Sequence, residues 1–230
     1  MAQQLVSFND RDLMESVKTL RTNIDFAGIE APIKSLILTS AEKGDGKSLL
    51  ASALAIAEAA SKKKTLIIDN DFRSPQIANL FHVRGGFKLS TILHATSENL
   101  MDYCLETKYP NLFVLDLGSR RNDPVEVLSS KSYDKLVKTA IECFDFVIID
   151  TPPLGMFIDA ALVAPKTDGA IIVIRSGKDD VQSVRNVIGQ LEKANARILG
   201  AVLNCSKKKH SDYYYYYSKK EHRNKKKAVH

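Results

Sequence analysis

Six short runs of the chain, at residues 35–39, 65–68, 112–115, 146–149, 170–174 and 198–203, are dominated by Leu, Ile, Val, Phe and Ala with almost no polar alternation. A strand with one face in water alternates apolar and polar residues; strands this uniformly apolar are buried on both faces. Helix-like stretches at 47–60, 75–81, 124–142, 158–164 and 179–194 separate most of the runs. Strands alternating with helices that must cover both sides of a sheet imply a doubly wound α/β domain with a mostly parallel sheet. In such sheets ligands bind at the carboxyl ends of the strands, so residues at those ends come first. A chain of 230 residues with 44% hydrophobic content can bury a core of this kind.

The two ends of the chain differ from this pattern. A helix is expected at about 10–26, with Leu13, Val17, Leu20 and Ile24 forming one apolar stripe and Glu15, Lys18 and Arg21 a charged ridge beside it. Residues 207–230 contain nine Lys/Arg and two Asp/Glu, a net of +7, together with Tyr213, Tyr214, Tyr215, Tyr216 and Tyr217 in one uninterrupted run. Almost free of aliphatic residues, this segment is expected to be a disordered basic tail to a folded domain at 1–206. The whole-chain charge of +6 therefore belongs to the tail; residues 1–206, with 24 basic and 25 acidic side chains, carry about −1. A body without a basic surplus argues against a general nucleic-acid binder. Three cysteines without close or metal-type spacing read as free thiols in a reducing cytosol. No run approaches the roughly 20 apolar residues of a membrane span, so a soluble chain is expected.

The first strand leads into Lys43-Gly44-Asp45-Gly46-Lys47-Ser48-Leu49 and then directly into an apolar helix. The strict phosphate-loop pattern has Gly where this chain has Ala41, but its working parts are present. Gly44 and Gly46 permit a tight turn that aims backbone N–H groups at phosphate, and the helix N-terminus adds its positive dipole end. Lys47 is placed to reach the β- and γ-phosphates and the Ser48 hydroxyl to ligate Mg²⁺.

Two further strands end in acids: Asp69-Asn70-Asp71-Phe72-Arg73 and Asp150-Thr151-Pro152-Pro153. An aspartate where a strand becomes a turn is common for backbone reasons alone. Three of them on two strands beside a phosphate loop supply the oxygen ligands that a Mg²⁺–nucleotide complex needs. Ser48, Asp71 and Asp150 are the expected metal ligands, directly or through water. Asp69 is also near the metal and is the candidate base.

These segments together resemble the Walker A, Walker A′ and Walker B elements of the bacterial tyrosine kinases of capsule and exopolysaccharide biosynthesis, the CapB/CpsD-like subunits. The resemblance runs from about Glu15 to Asn204, and residues 213–217 resemble the family's C-terminal tyrosine cluster. The wider relatives are P-loop NTPases of the MinD/ParA type with a deviant Walker A loop. Several positions depart from the kinase pattern: Lys43 stands in place of the usual Pro, Lys18 in place of an Arg, and Arg120-Arg121-Asn122-Asp123-Pro124 in place of a Pro-Pro-Asn-Pro-like stretch. MinD-type ATPases carry a signature lysine at the position of Glu42, which this chain lacks.

The resemblance implies an ATP- and Mg²⁺-dependent protein tyrosine kinase that phosphorylates its own tyrosine cluster and regulates polysaccharide synthesis and export. It implies that Glu15, Lys18 and Arg21 mediate ring formation, an octamer in the family, and that Asn204 contacts adenine. It also implies a transmembrane activator at the inner face of the membrane and the possibility of exogenous tyrosine substrates. A MinD/ParA-type ATPase shares the nucleotide site but does not account for five consecutive tyrosines; the second alternative is a non-enzymatic scaffold whose nucleotide site only gates assembly.

Overall fold

The structure is a computed structural model and describes residues 11–85, 87–118 and 123–206. The tyrosine run and residues 120–122 lie outside the described residues. A seven-stranded sheet carries β1 (Ser35–Ser40), β2 (Thr65–Asp69), β3 (Leu105–Glu106), β4 (Leu112–Asp116), β5 (Phe146–Asp150), β6 (Ala170–Arg175) and β7 (Ile198–Asn204). Their order across the sheet is β3-β4-β2-β5-β1-β6-β7, and every pairing is parallel except β3 with β4. Every residue of the central strands β1, β2 and β5 is buried, as their unbroken apolar composition requires.

Alternate residues of one strand enter opposite cores. Leu66 and Ile68 of β2 join the cluster built with Leu136, Val137 and Val187, whereas Ile67 joins Leu54, Ala55 and Ile24 on the other face. The second face is covered by α1 (Arg11–Ala27) and α2 (Lys47–Ala60), the first by α6 (Lys131–Cys143) and α8 (Val181–Lys193). On α1 the expected stripe makes this contact: Val17 and Ile24 are buried and Leu13 and Leu20 pack against the same cluster. The charged ridge does not stay wholly in solvent. Glu15 and Lys18 pair at 2.7 Å on the surface, but Arg21 turns inward and donates to the Ala57 carbonyl of α2 at 3.4 Å.

Two elements differ from expectation. The helix expected at 124–142 is broken into α5 (Pro124–Leu128) and α6, because Ser130 leaves the helix and caps the Tyr133 N–H with its hydroxyl. A capping serine satisfies orphan helix donors and so starts a new helix where apolar periodicity alone shows no interruption. Between β2 and β4 the helix expected at 75–81 forms as α3 (Ile77–Phe81), and the chain adds α4 (Leu89–Ile92), a 3₁₀ turn at Leu100–Tyr103 and the antiparallel β3. The added pieces are too short to carry a readable period. The remaining helix, α7 (Asp159–Val163), follows the β5 loop.

Candidate nucleotide site

The phosphate loop joins β1 to α2 at the carboxyl edge of the sheet. Gly46 is the N-cap of α2 with φ 92°, a left-handed conformation that strains any other residue. A Cβ there would also lie 2.1 Å from Asn204 Nδ2. Loop residues Lys43, Gly44, Gly46, Lys47, Ser48 and Leu49 line a cavity of about 510 Å³, faced by Asp71, Arg73, Ser74 and Gln76. Pro153, Met156 and Phe157 of the β5–α7 loop complete it. That loop packs against the phosphate loop so closely that a Cβ on Gly155 would meet the Ala41 carbonyl oxygen at 2.2 Å.

Lys47 is buried, with Nζ 3.1 Å from Ser40 Oγ. Loss of hydration lowers its pKa, an effect partly opposed by Asp150, Asp45 and Asp71. Asp150 is buried at the end of β5, where desolvation and the nearby Asp69 charge push its carboxyl up to about 8. A hydrogen bond with Ser48 works in the opposite direction. Among the described residues its Oδ1 is buried without a partner. An orphaned buried oxygen beside a serine hydroxyl fits a hydrated Mg²⁺, which takes one or two protein oxygens and keeps several waters.

The two acids of the 69–73 segment are used differently. Asp71 lines the cavity, and its Oδ1 accepts from the N–H groups of Arg73 at 3.1 Å and Ser74 at 2.9 Å. Asp69 is buried; its Oδ1 accepts from Asp71 N at 3.2 Å, and its Oδ2 from Gln76 N at 2.8 Å and Ile77 N at 2.9 Å. Burial nonetheless raises its carboxyl to about 7, against the lowering effect of these bonds. Asp69 therefore holds the turn that presents Asp71 and Arg73, in addition to any role in chemistry.

Asp45 and Asn204 face the loop itself. The Asp45 carboxylate is fully buried and turned to Glu42 N at 2.8 Å and Lys178 Nζ at 3.0 Å. Asn204 donates from Nδ2 to the Asp45 carbonyl at 2.8 Å and accepts from Cys205 N through Oδ1.

Residues that sequence reasoning passed over complete the site. Arg73 pairs with the buried Asp159 and stacks 3.9 Å from the Phe157 ring centroid, tying the β2 loop to the β5 loop. Tyr133 donates to Asn70 Oδ1 at 2.9 Å, fully buried between the two acids' strand and α6. Arg73 stood in the recognised motif without a role; Asp159 and Tyr133 had no local signal, because only folding brings them to the site. Among the described residues no group of three or more His, Cys, Asp or Glu forms a metal cluster, and no helix is long and apolar enough to cross a membrane.

Comparison with known proteins identifies the fold and the family. A family model described as ParA, NUBPL iron-transfer P-loop NTPase, matches residues 32–229. Tyrosine-protein kinase CpsD of Streptococcus agalactiae is 34% identical over 190 residues, covering 83% of this chain and 82% of that protein. Tyrosine-protein kinase YwqD of Bacillus subtilis is 36% identical over 199 residues, covering 86% and 83%. The crystal structure of the chimerical protein CapA2B2 superimposes with a TM-score of 0.78 at 33% identity, covering 84% of this chain and 85% of that one. The chain belongs to the bacterial tyrosine-protein kinases, a branch of the ParA-type P-loop NTPases.

Proposed function

We propose that this kinase transfers the γ-phosphoryl group of ATP to the tyrosines at 213–217 of its own chain or a neighbouring copy. The observation that carries the proposal is the position of Asn204, the last residue of β7, against the Asp45 carbonyl of the phosphate loop. The segment bearing the tyrosines thus starts beside the nucleotide site. The nine to thirteen residues from Asn204 to the tyrosines span at most about 30–45 Å. Of the eight tyrosines, Tyr103 and Tyr109 are half-buried and Tyr133 is fully buried; the other five form the run.

In the reaction the phenolic oxygen bonds to the γ-phosphorus as the bond to the β–γ bridging oxygen breaks, releasing ADP. A phenol of pKa near 10 is ionised in roughly one molecule in a thousand at pH 7, so forming phenolate beforehand would cost about 4 kcal/mol. A loose transition state asks little of the base, and charge neutralisation does most of the work. Lys47, desolvated in its resting contact with Ser40, gains most by exchanging that hydroxyl for the β- and γ-phosphates. The N–H groups of the loop and of the α2 N-terminus bind the same oxygens. Ser48, Asp71 and Asp150 would hold Mg²⁺, Asp150 through a water on its orphaned oxygen. When bound, the ion neutralises charge developing between the β- and γ-phosphates.

Asp69 is the proposed proton acceptor, because a carboxyl raised to about 7 suits a base working near neutrality. Its three backbone bonds require the 69–77 turn to open as the phenol approaches. Chain-to-chain transfer within a ring built on Glu15 and Lys18 of α1, and activation by a transmembrane subunit, belong to the same reading.

The test is incubation of the full chain with Mg²⁺ and ATP, followed by mass spectrometry of the tail. Phosphate is expected within residues 213–217 and absent from a folded Lys47→Met chain. An active wild-type chain without phosphate in that run overturns the substrate assignment. Full activity of Lys47→Met overturns the site.

A further inference from the structure

Three consecutive carbonyls of the phosphate loop each accept a hydrogen bond from a side chain outside the loop. Lys178 Nζ donates to the Lys43 carbonyl at 2.9 Å, Arg175 Nη1 to that of Gly44 at 3.0 Å, and Asn204 Nδ2 to that of Asp45 at 2.8 Å. In a planar trans peptide the N–H that follows a carbonyl points to the opposite side. Fixing these carbonyls outward therefore turns the N–H groups of Gly44, Asp45 and Gly46 the other way. Gly44 and Gly46 line the cavity, so that is where an anion would meet them.

The three donors are themselves linked. Arg175 and Asn204 are register partners at the ends of β6 and β7, and Ser176 N donates to the Asn204 carbonyl at 2.9 Å. Lys178 also contacts Glu42 Oε2 at 2.9 Å and Asp45 Oδ1 at 3.0 Å, so one ammonium group ties Glu42, Lys43 and Asp45 together. None of these contacts uses the cavity face of the loop residues' N–H groups. Ordering the loop before a ligand arrives removes an entropic cost from binding.

We propose that Arg175, Lys178 and Asn204 are positioning residues that hold the phosphate loop in its anion-binding conformation, so that they serve the polyphosphate of the nucleotide and not its base. The proposal rests on the reading of the cavity as the nucleotide site. It departs from the role that family resemblance implies for Asn204, a contact to adenine.

The experiment titrates the full chain with Mg·ATP and with magnesium tripolyphosphate, which has no base, by calorimetry at low salt and at about 0.5 M salt, where exposed charges are largely screened. Asn204→Leu, Arg175→Gln and Lys178→Met are compared with the wild type and with Lys47→Met, after thermal melts establish that each is folded. Each lost bond is expected to weaken both ligands by the same factor, about three- to tenfold. The loss should appear in KM for ATP more than in kcat, and persist at high salt. Because Asn204→Leu changes no charge, its loss cannot be Coulombic; Asn204→Ala serves if the leucine crowds Gly46. Weakening of ATP alone by the Asn204 variants would establish a base contact and overturn the proposal. So would unchanged affinity in all three variants, or losses at Arg175 and Lys178 that vanish in salt. If Lys47→Met retains both ligands, the nucleotide site itself is misassigned; if it loses them while the three variants do not, only the positioning role falls.

Discussion

Asp69 and Asp150 stand opposite each other in register at the carboxyl ends of adjacent parallel strands β2 and β5, both buried. Burial raises both, Asp69 to about 7 with Asp116 adding to the effect, and Asp150 to about 8 with the Asp69 charge adding to it. A carboxyl raised in the folded state binds more protons there than in the unfolded chain, whose carboxyls titrate near 4. The pair's contribution to stability is therefore greatest below about pH 4 and declines as pH rises toward 7–8. Urea unfolding of the nucleotide-free protein should show this decline, and Asp150→Asn should flatten it. Calorimetry in buffers of different ionisation enthalpy should register proton release when Mg·ATP binds near pH 7. An identical pH slope in wild type and Asp150→Asn would disprove the shared burial cost.

The proposed metal ligands predict a second difference. Asp150→Asn keeps a neutral oxygen beside Ser48 but removes the charge that attracts Mg²⁺. Nucleotide affinity with Mg²⁺ should fall by tenfold or more (at least about 1.4 kcal/mol) while metal-free affinity changes little or rises. Equal losses with and without Mg²⁺ would make the residue structural only.

The Tyr133–Asn70 bond couples α6 to the turn between Asp69 and Asp71. Tyr133→Phe leaves a buried amide oxygen without its donor, a cost of about 1–3 kcal/mol. For a domain of this size that lowers Tm by roughly 2–4 °C per kcal/mol. Differential scanning calorimetry measures it, and an unchanged Tm would mean that water replaces the phenol.

Gly155→Ala should separate the β5 loop from the phosphate loop, since the added methyl meets backbone oxygen and not a flexible side chain. We expect destabilisation of about 1–3 kcal/mol, together with weaker ATP binding. Denaturant midpoints and nucleotide titration check both; stability lost without affinity would show that the two loops are not mechanically linked at the site.

On α1 the three ridge residues should behave differently. Glu15 and Lys18 are exposed, and their pair is worth only tenths of a kcal/mol. Changing both to Ala is expected to alter assembly, read by light scattering, without altering stability. Arg21→Ala should lower stability as well, because its guanidinium bonds α2 and sits near the buried Glu58. A wild-type mass distribution for the Glu15/Lys18 double variant would remove them from any ring contact.

What the sequence alone determined is whatever depends on short-range order. Unbroken apolar runs identify strands buried on both faces, and the start of α2 at Lys47 follows from the glycines before it and the apolar helix after it. The acids at the ends of β2 and β5 are legible because a parallel sheet brings all carboxyl ends to one edge, whichever strands are neighbours. What only the tertiary structure decided depends on which strands those neighbours are. Asp69 faces Asp150 because β2 lies beside β5, and Asn204 reaches the Asp45 carbonyl because β7 follows β6 at the far end of the sheet. Arg175 at the end of β6 and Lys178 in the polar loop after it carry no signal of their own until β6 is placed beside β1, where their charges meet the phosphate loop's carbonyls. Contacts between residues more than 100 positions apart leave no local periodicity, and a side chain's hydrogen-bond partner is set by packing, not by its own neighbours along the chain.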